Sequence, residues 1–201
     1  MTSRTPEQTR QFANVQMDTF FEGVSSELKA HVVSLPKRAK QVSAIPAVRL
    51  QEVLKAADAI FDFAGKFAAC ARGCGHCCHV SVPITAMEAK WMGERLGIQP
   101  MQVKKSVRHN LSDFGSHTPC PFLANGECSI YEVRPLTCRM HMNFDRDNYW
   151  CLHENWQKPE AEIPRPTIQP LIDAYHQVTA NERVMADIRD FFPQGKATTH
   201  G

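Results

Sequence analysis

Apolar residues recur at helical spacing in the first third of the chain and again near its C-terminal end. Thr5, Pro6 and Gln8 have the pattern of an N-cap, a first-turn proline and a capping-box partner, and predict a helix that continues towards Leu28. A stronger apolar stripe begins near Pro46 and follows the 3.6-residue period as far as the first cysteine. Its members are Val48, Val53, Leu54, Ala57, Ile60, Phe61, Ala64, Phe67 and Ala68. We expect these side chains, the phenylalanines included, to pack in the core.

Two further helices are predicted in the middle of the chain. Thr85 and Glu88 form a second capping box, and Gly97 is placed to end the helix that follows. Pro100 is predicted to open another helix through "MQVKKSVRHNL".

The sequence changes character at "CPFLANGECSIY". Asn125-Gly126 lies between two short apolar runs and predicts a tight hairpin that brings Cys120 close to Cys128. The prolines of residues 157–166 predict an extended connector. One last helix is expected after it, with a packing face made of Leu171, Ile172, Tyr175, Val178, Val184, Ile188 and Phe191.

These elements predict a mostly α protein in which helices flank an irregular, cysteine-rich middle with a short β-hairpin. We divide the chain into N-terminal helices (1–69), a cysteine-cluster metal-binding region (70–151), and a proline-rich connector with the C-terminal helix (152–201), forming one compact domain overall. The middle has few obvious apolar anchors. Ordering a loop costs about 1–2 kcal/mol per residue, so we expect a bound metal to help order this region.

Composition narrows the function classes. The chain has 201 residues, a net charge of +2 and no cluster of basic residues, so we expect no nucleic-acid partner. Its N-terminus is polar and no apolar stretch approaches the roughly 20 residues of a membrane span, so we expect a cytoplasmic protein without a membrane partner. Cytosolic thiols are kept reduced, and cysteines that cluster there are typical of metal or redox chemistry.

All eight cysteines fall between residues 70 and 151, which scattered core thiols would not do. They are Cys70, Cys74, Cys77, Cys78, Cys120, Cys128, Cys138 and Cys151. The first four form C-x3-C-x2-C-C, and Gly73 and Gly75 allow the tight backbone that such a ligand loop needs. Adjacent side chains tend to point apart, so the Cys77-Cys78 pair indicates two metals or a multinuclear cluster.

Residues 70 to about 140 resemble the CxxCxxCC family of zinc- or iron-chelating domains. The resemblance is carried by "CARGCGHCC" and by "CPFLANGECSIYEVRPLTCR". It implies metal ligation by Cys74, Cys77, Cys78, Cys120, Cys128 and Cys138, with Arg134, Pro135 and Arg139 in the surrounding motif. Cys70 stands one residue further from Cys74 than the family pattern has it, and Cys151 lies beyond the matched segment. We add these two as candidate ligands because they belong to the same cluster.

Thiolates bind both iron–sulfur clusters and zinc. Eight cysteines could hold two four-cysteine clusters, so we expect one or two iron–sulfur clusters, of the [4Fe–4S] type, with an electron-transfer or oxidoreductase role and a redox protein as partner. One alternative is a zinc-stapled module that binds a partner; another is a metal-handling protein whose thiolates accept and donate an ion.

Other donors near the cysteines are weaker candidates. Four histidines lie within three residues of a cysteine and could bind zinc, although eight thiols already suffice: His76, His79, His141 and His153. Met140 and Met142 are soft donors that could suit copper(I), but methionines more often fill the core. A Cys–His nucleophile would leave seven thiols unexplained.

Thiolate sites carry negative charge, because four thiolates around Zn²⁺ or around a [4Fe–4S]²⁺ core sum to −2. Cations should therefore lie close by. We assign Arg134 and Arg139 as candidate cofactor-binding residues, with at least one of them donating hydrogen bonds to a sulfur or to a carbonyl of the ligand loop.

Overall fold

The structure is a computed structural model that describes residues 5–41, 45–71, 73–110, 114, 117–156 and 164–194.

The N-terminal part of the protein is a set of three helices. Helices α1 (Pro6–Gly23), α2 (Ser26–Gln41) and α3 (Pro46–Ala64) follow one another along the chain. The predicted start of α1 is confirmed, since Thr5 and Gln8 form a complete capping box. The apolar pattern that continues past Gly23 belongs to two helices and not to one.

A second capping box positions the helix after the first cysteine group. Strand β1 (Pro83–Thr85) leads into α4 (Ala86–Leu96). Thr85 and Glu88 form the predicted capping box, and Gly97 ends the helix with a φ of 66°. A left-handed residue at this position favours glycine, so the predicted helix end is also confirmed.

The helix predicted after Pro100 is wrong. Residues 101–110 run without regular secondary structure along the C-terminal segment. The Met101 amide donates to the Phe191 carbonyl at 2.8 Å, and the Val107 amide donates to the Met185 carbonyl at 3.1 Å. These backbone groups therefore find partners in a distant segment and not in the turn of a helix.

The predicted hairpin is confirmed. Strands β2 (Leu123–Ala124) and β3 (Glu127–Cys128) pair antiparallel across Asn125 and Gly126, whose φ angles are 52° and 81°. Positive φ at both central residues is the geometry that an Asn-Gly turn accepts most readily.

Short helical elements complete the cysteine-rich middle. A 3₁₀ turn at His76–His79 carries two cysteines, and α5 (Leu136–Arg139) carries Cys138. A 3₁₀ turn at Tyr149–Cys151 leads to α6 (His153–Trp156).

The single C-terminal helix predicted from the apolar stripe is wrong. The chain forms α7 (Gln169–Val178), then strand β4 (Met185–Asp187), then α8 (Ile188–Phe191). Strand β4 pairs antiparallel with β1, and this pairing across half the chain interrupts the helix. The predicted connector lies mostly outside the described residues, which resume at residue 164.

The core is mainly helical. Helix α2 packs on α3 and α7, and α3 also packs on α7 and α5. The mostly α fold with an irregular middle and a short hairpin is thus confirmed. The middle contributes more core than the sequence predicted, because Phe122, Phe144 and Trp150 are all buried. The three-part division of the chain stays a prediction.

Within the described ranges, no helix is long and apolar enough to cross a membrane.

Candidate metal centre

A single cavity gathers the cysteines. Its volume is about 40 Å³, and all eight cysteines contribute to its lining. This is room for about three water-sized spheres, at roughly 10–15 Å³ for each. No disulfide uses any of the eight thiols, all of which lie in described segments. The fold therefore brings together every cysteine that the sequence analysis selected.

Two glycines shape the first ligand loop as the sequence predicted. Gly73 has a φ of 91°, which a residue with a side chain rarely adopts. Gly75 packs against the hairpin turn so closely that an added Cβ would lie 2.3 Å from the Gly126 carbonyl oxygen. The absence of a side chain at Gly75 thus lets the loop and the hairpin meet. The Cys120 amide then donates to the Cys78 carbonyl at 2.6 Å, which joins the two segments.

Cys78 lies at the centre of one group of thiols. Its sulfur is in hydrogen-bond contact with the sulfurs of Cys77, Cys120 and Cys128, and these contacts raise the pKa of Cys78. The same contact lowers the pKa of the other three, that of Cys128 to about 6. Cys78 is therefore the hydrogen-bond partner that the other three thiols share.

Cys138 joins this group from α5. Burial raises the pKa of its thiol, and the charges of Cys77, Cys120 and Cys128 raise it further. The remaining exposed surface of Cys138 borders the cavity and an adjoining cleft.

A buried carboxylate holds α5 in place. Glu88 Oε1 accepts a hydrogen bond from the Leu136 amide at 3.0 Å, and its Oε2 accepts one from the Tyr175 hydroxyl. Its capping-box role was predicted from the sequence, but this link between α4, α5 and α7 was not. Glu88 thereby positions the helix that carries Cys138.

A second group of thiols lies around Asn143. The Asn143 amide N–H donates to Cys70 Sγ at 3.2 Å, and its side-chain Nδ2 donates to Cys151 Sγ at 3.2 Å. Burial raises the pKa of Cys70 to about 12 and that of Cys151 to about 11. Charge on Cys74 and Cys77 acts on both thiols, so Cys77 lies between the two groups. The sequence offered no signal for Asn143, because nothing nearby marks it as a thiol partner.

Arg134 is the cation at the cavity wall. Its guanidinium lies 3.6 Å from the centre of the Tyr131 ring and 4.9 Å from that of Phe61, and its Nε donates to the Tyr131 carbonyl at 2.9 Å. Its positive charge contributes to the lowered pKa values of Cys77 and Cys128. Phe61 also lines the cavity, so a residue that the sequence assigned to the core belongs to the site as well.

Arg139 lies outside the cavity lining and supports the loop from behind. Its guanidinium donates to the Glu132 carbonyl at 3.0 Å and to the Arg134 carbonyl. Its Nε lies 2.9 Å from Asp58 Oδ1, an ion pair in which the N–H does not point at the oxygen. The guanidinium therefore fixes the backbone between Cys128 and Cys138.

Arg189 is a site residue that sequence reasoning missed. Its guanidinium donates to the carbonyl oxygens of Cys78 at 3.1 Å and Thr118 at 2.9 Å, and pairs with Asp187 Oδ1 at 2.8 Å. It thus joins the segment before Cys120 to the first ligand loop. The contact with Cys78 spans 111 residues of sequence, which leaves no local signal.

The histidines and methionines occupy different positions. His76 and His141 line the cavity, and His76 Nε2 lies 2.7 Å from Asn148 Nδ2. Burial lowers the pKa of His141 to about 4. Met142 is buried in the core. His79 is not among the lining residues, and the His153 side chain lies outside the described part of the chain.

The donor chemistry fits a thiophilic metal, although the thiols are not arranged as a finished coordination shell. Eight sulfurs border one cavity with a guanidinium at its wall, and the described lining includes no Asp or Glu. Among the residues that the structure describes, no group of three or more His, Cys, Asp or Glu side chains is placed so that it could hold a metal ion. Metal binding would thus require some of the thiols to change rotamer, which a cysteine does by rotation about its single χ1.

Comparison with known proteins identifies this segment. No curated protein and no solved structure shows significant similarity to the chain. Residues 69–158 match the CxxCxxCC family, described as "Putative zinc- or iron-chelating domain". All eight cysteines fall inside the match. The match thus places a zinc- or iron-chelating domain of the CxxCxxCC type at residues 69–158, the segment that supplies all eight cysteines of the cavity.

Proposed function

We propose that the cysteines lining the cavity bind one or two iron–sulfur clusters and that the protein serves in electron transfer or in an oxidoreductase step. One observation carries the proposal: all eight cysteines, none in a disulfide, border the same cavity. An iron–sulfur cluster takes four thiolates and supplies one-electron chemistry. Eight thiols exceed the four ligands of a single structural zinc ion, which favours two clusters or a multinuclear site.

The two groups of thiols support a division into two sets. Cys78, Cys120, Cys128 and Cys138 lie together, and the second group comprises Cys70, Cys74 and Cys151. Cys77 adjoins both groups and completes a second set of four. The two sets would meet at the neighbouring residues Cys77 and Cys78, whose sulfurs are in hydrogen-bond contact with each other.

The surrounding residues have roles that suit a charged, redox-active centre. Asn143 supplies two N–H donors to thiol sulfurs, and such hydrogen bonds tune the potential of a thiolate site. Arg134 supplies positive charge against the thiolates. Phe61, Val82 and Ile130 form apolar parts of the wall and exclude water. We further propose that a redox protein exchanges electrons with this centre in the cytoplasm.

Anaerobic purification followed by metal analysis tests this function. We expect brown protein with absorption near about 400 nm, and iron and acid-labile sulfide in equal amounts. Cys77→Ser should lose most of both, whereas Ala124→Ser, an exposed position in the hairpin, should retain them. Colourless protein with stoichiometric zinc would instead support the zinc-stapled module.

A further inference from the structure

A cleft of about 600 Å³ adjoins the cysteine cavity. Cys77, Cys138 and His141 line both spaces, so the floor of the cleft is also a wall of the cavity. The cleft volume falls within the roughly 300–1,000 Å³ of typical small-molecule sites. A molecule in the cleft would therefore lie against two candidate ligands of the metal.

Most of the cleft wall is apolar, and its polar groups are largely engaged within the protein. The apolar lining consists of Val80, Val82, Leu136, Met140, Pro166 and Ile172. The Ser81 hydroxyl donates to Asp187, the Thr137 hydroxyl donates to the Pro83 carbonyl, and the Tyr175 hydroxyl donates to Glu88. The wall thus favours the apolar body of a ligand over a sugar or a peptide backbone.

Arg165 gives the cleft its charge. Of the described lining residues, it alone belongs to the Asp, Glu, Lys and Arg types. Its side chain is exposed, and its positive charge acts on both His141 and Cys151. The guanidinium therefore lies at the mouth of the cleft, near the metal-binding region, with no described carboxylate in the wall to neutralise it.

A carboxylate matches this arrangement better than a phosphate. One guanidinium presents two parallel N–H donors, which fit the two oxygens of one carboxylate. A phosphate ester carries up to two charges and is usually bound by several cations or by a row of backbone amides. With a single arginine and an apolar wall, the cleft suits one carboxylate attached to an apolar body.

We propose that the cleft binds a small organic carboxylate, with its carboxylate on Arg165 and its apolar body against Cys77 and Cys138. If the carboxylate is a substrate of a metal centre, the proposal rests on the proposed function. Binding of a carboxylate in the cleft does not depend on that function. The ligand class is thus a monocarboxylate with a short aromatic or aliphatic body.

Titration calorimetry on the full chain, purified anaerobically, tests the assignment. The probes are phenylacetate and hexanoate, each compared with its neutral amide. We expect at least one carboxylate to bind with a Kd of about 1 mM or below, and its amide to bind at least about tenfold more weakly. Arg165→Gln should weaken carboxylate binding by a similar factor. Arg108→Gln, an exposed arginine outside the cleft, should leave it unchanged.

A cleft-filling variant locates the binding site independently of charge. Ile172→Trp should abolish binding of both carboxylate and amide while circular dichroism shows a folded protein. Failure of both carboxylates to bind at about 10 mM, or binding that Arg165→Gln leaves unchanged, would overturn the assignment. If the purified protein binds a carboxylate but contains neither iron nor zinc, the cleft assignment stands and the proposed function is refuted. Failure of the cleft assignment and failure of the proposed function are therefore distinguishable.

Discussion

Arg189→Gln should destabilise the contact between the first ligand loop, at Cys78, and the segment that precedes Cys120. The variant removes the guanidinium that donates to the carbonyls of Cys78 and Thr118, and leaves Asp187 without its ion-pair partner. Arg189 and Asp187 side chains are only 10% and 2% exposed, so the pair is buried. Glutamine keeps a polar group but is too short to reach both carbonyls.

The expected magnitude follows from these contacts. Removing one partner of a buried ion pair costs about 3–5 kcal/mol. Asp187 retains hydrogen bonds from the Val82 amide and the Ser81 hydroxyl, which places the expected loss near the lower end of that range. In a domain of this size about 3 kcal/mol corresponds to a fall in Tm of about 6–12 °C.

Thermal unfolding followed by circular dichroism measures this loss. Arg189→Lys should fall between parent and glutamine variant, because it keeps the charge and loses the planar fork. Arg183→Gln, at an exposed arginine, should change stability by less than about 0.5 kcal/mol. If Arg189→Gln melted within about 1 °C of the parent, the hydrogen bonds from Arg189 to the Cys78 and Thr118 carbonyls would not stabilise the protein. That result would refute the expected loss.

Three more changes test the site. Gly75→Ala should separate the ligand loop from the hairpin and lower metal content, because its Cβ would lie 2.3 Å from the Gly126 carbonyl oxygen; full metal occupancy would show that the contact is dispensable. Arg134→Gln should lower the reduction potential at matched iron content, since loss of positive charge penalises the more negative reduced state; an unchanged or higher midpoint potential would exclude this role. Cys74→Ser should release metal and make limited proteolysis begin between residues 110 and 151, whereas parental protease resistance would argue against ordering by metal.

Local signals predicted much of the fold. The capping boxes at Thr5 and Thr85 and the Asn125-Gly126 turn are confirmed, because each of them is specified by residues three or fewer apart. The close packing of Gly75 was also anticipated from the loop it belongs to. Side chains that satisfy the backbone of their own turn can be read from sequence alone.

Long-range pairing accounts for the errors. The C-terminal apolar stripe has helical spacing, yet residues 185–187 pair with residues 83–85, and Asp187 then caps a new helix. In the segment after Pro100, backbone amides donate hydrogen bonds to the carbonyl oxygens of Phe191 and Met185. The spacing of apolar residues within one segment does not indicate which distant segment it will pair with.

In the candidate site, too, residues that are close together in sequence were predicted and residues from distant segments were missed. Cysteine clustering selected every thiol of the cavity, since ligand loops are short and dense in sequence. Asn143 and Arg189 were missed because they reach the thiols, or the backbone beside them, from distant segments. Such supporting residues can be recognised only when the chain is folded.

X-ray absorption at the metal edge tests the central claim most directly, since it reports which atoms surround the metal. Protein purified anaerobically should show an iron edge with a first shell of about four sulfur atoms and a second iron as a near neighbour. This result would establish that the cysteine cavity holds an iron–sulfur cluster. An iron or zinc shell dominated by nitrogen and oxygen, or a single zinc ion with no metal neighbour, would contradict it.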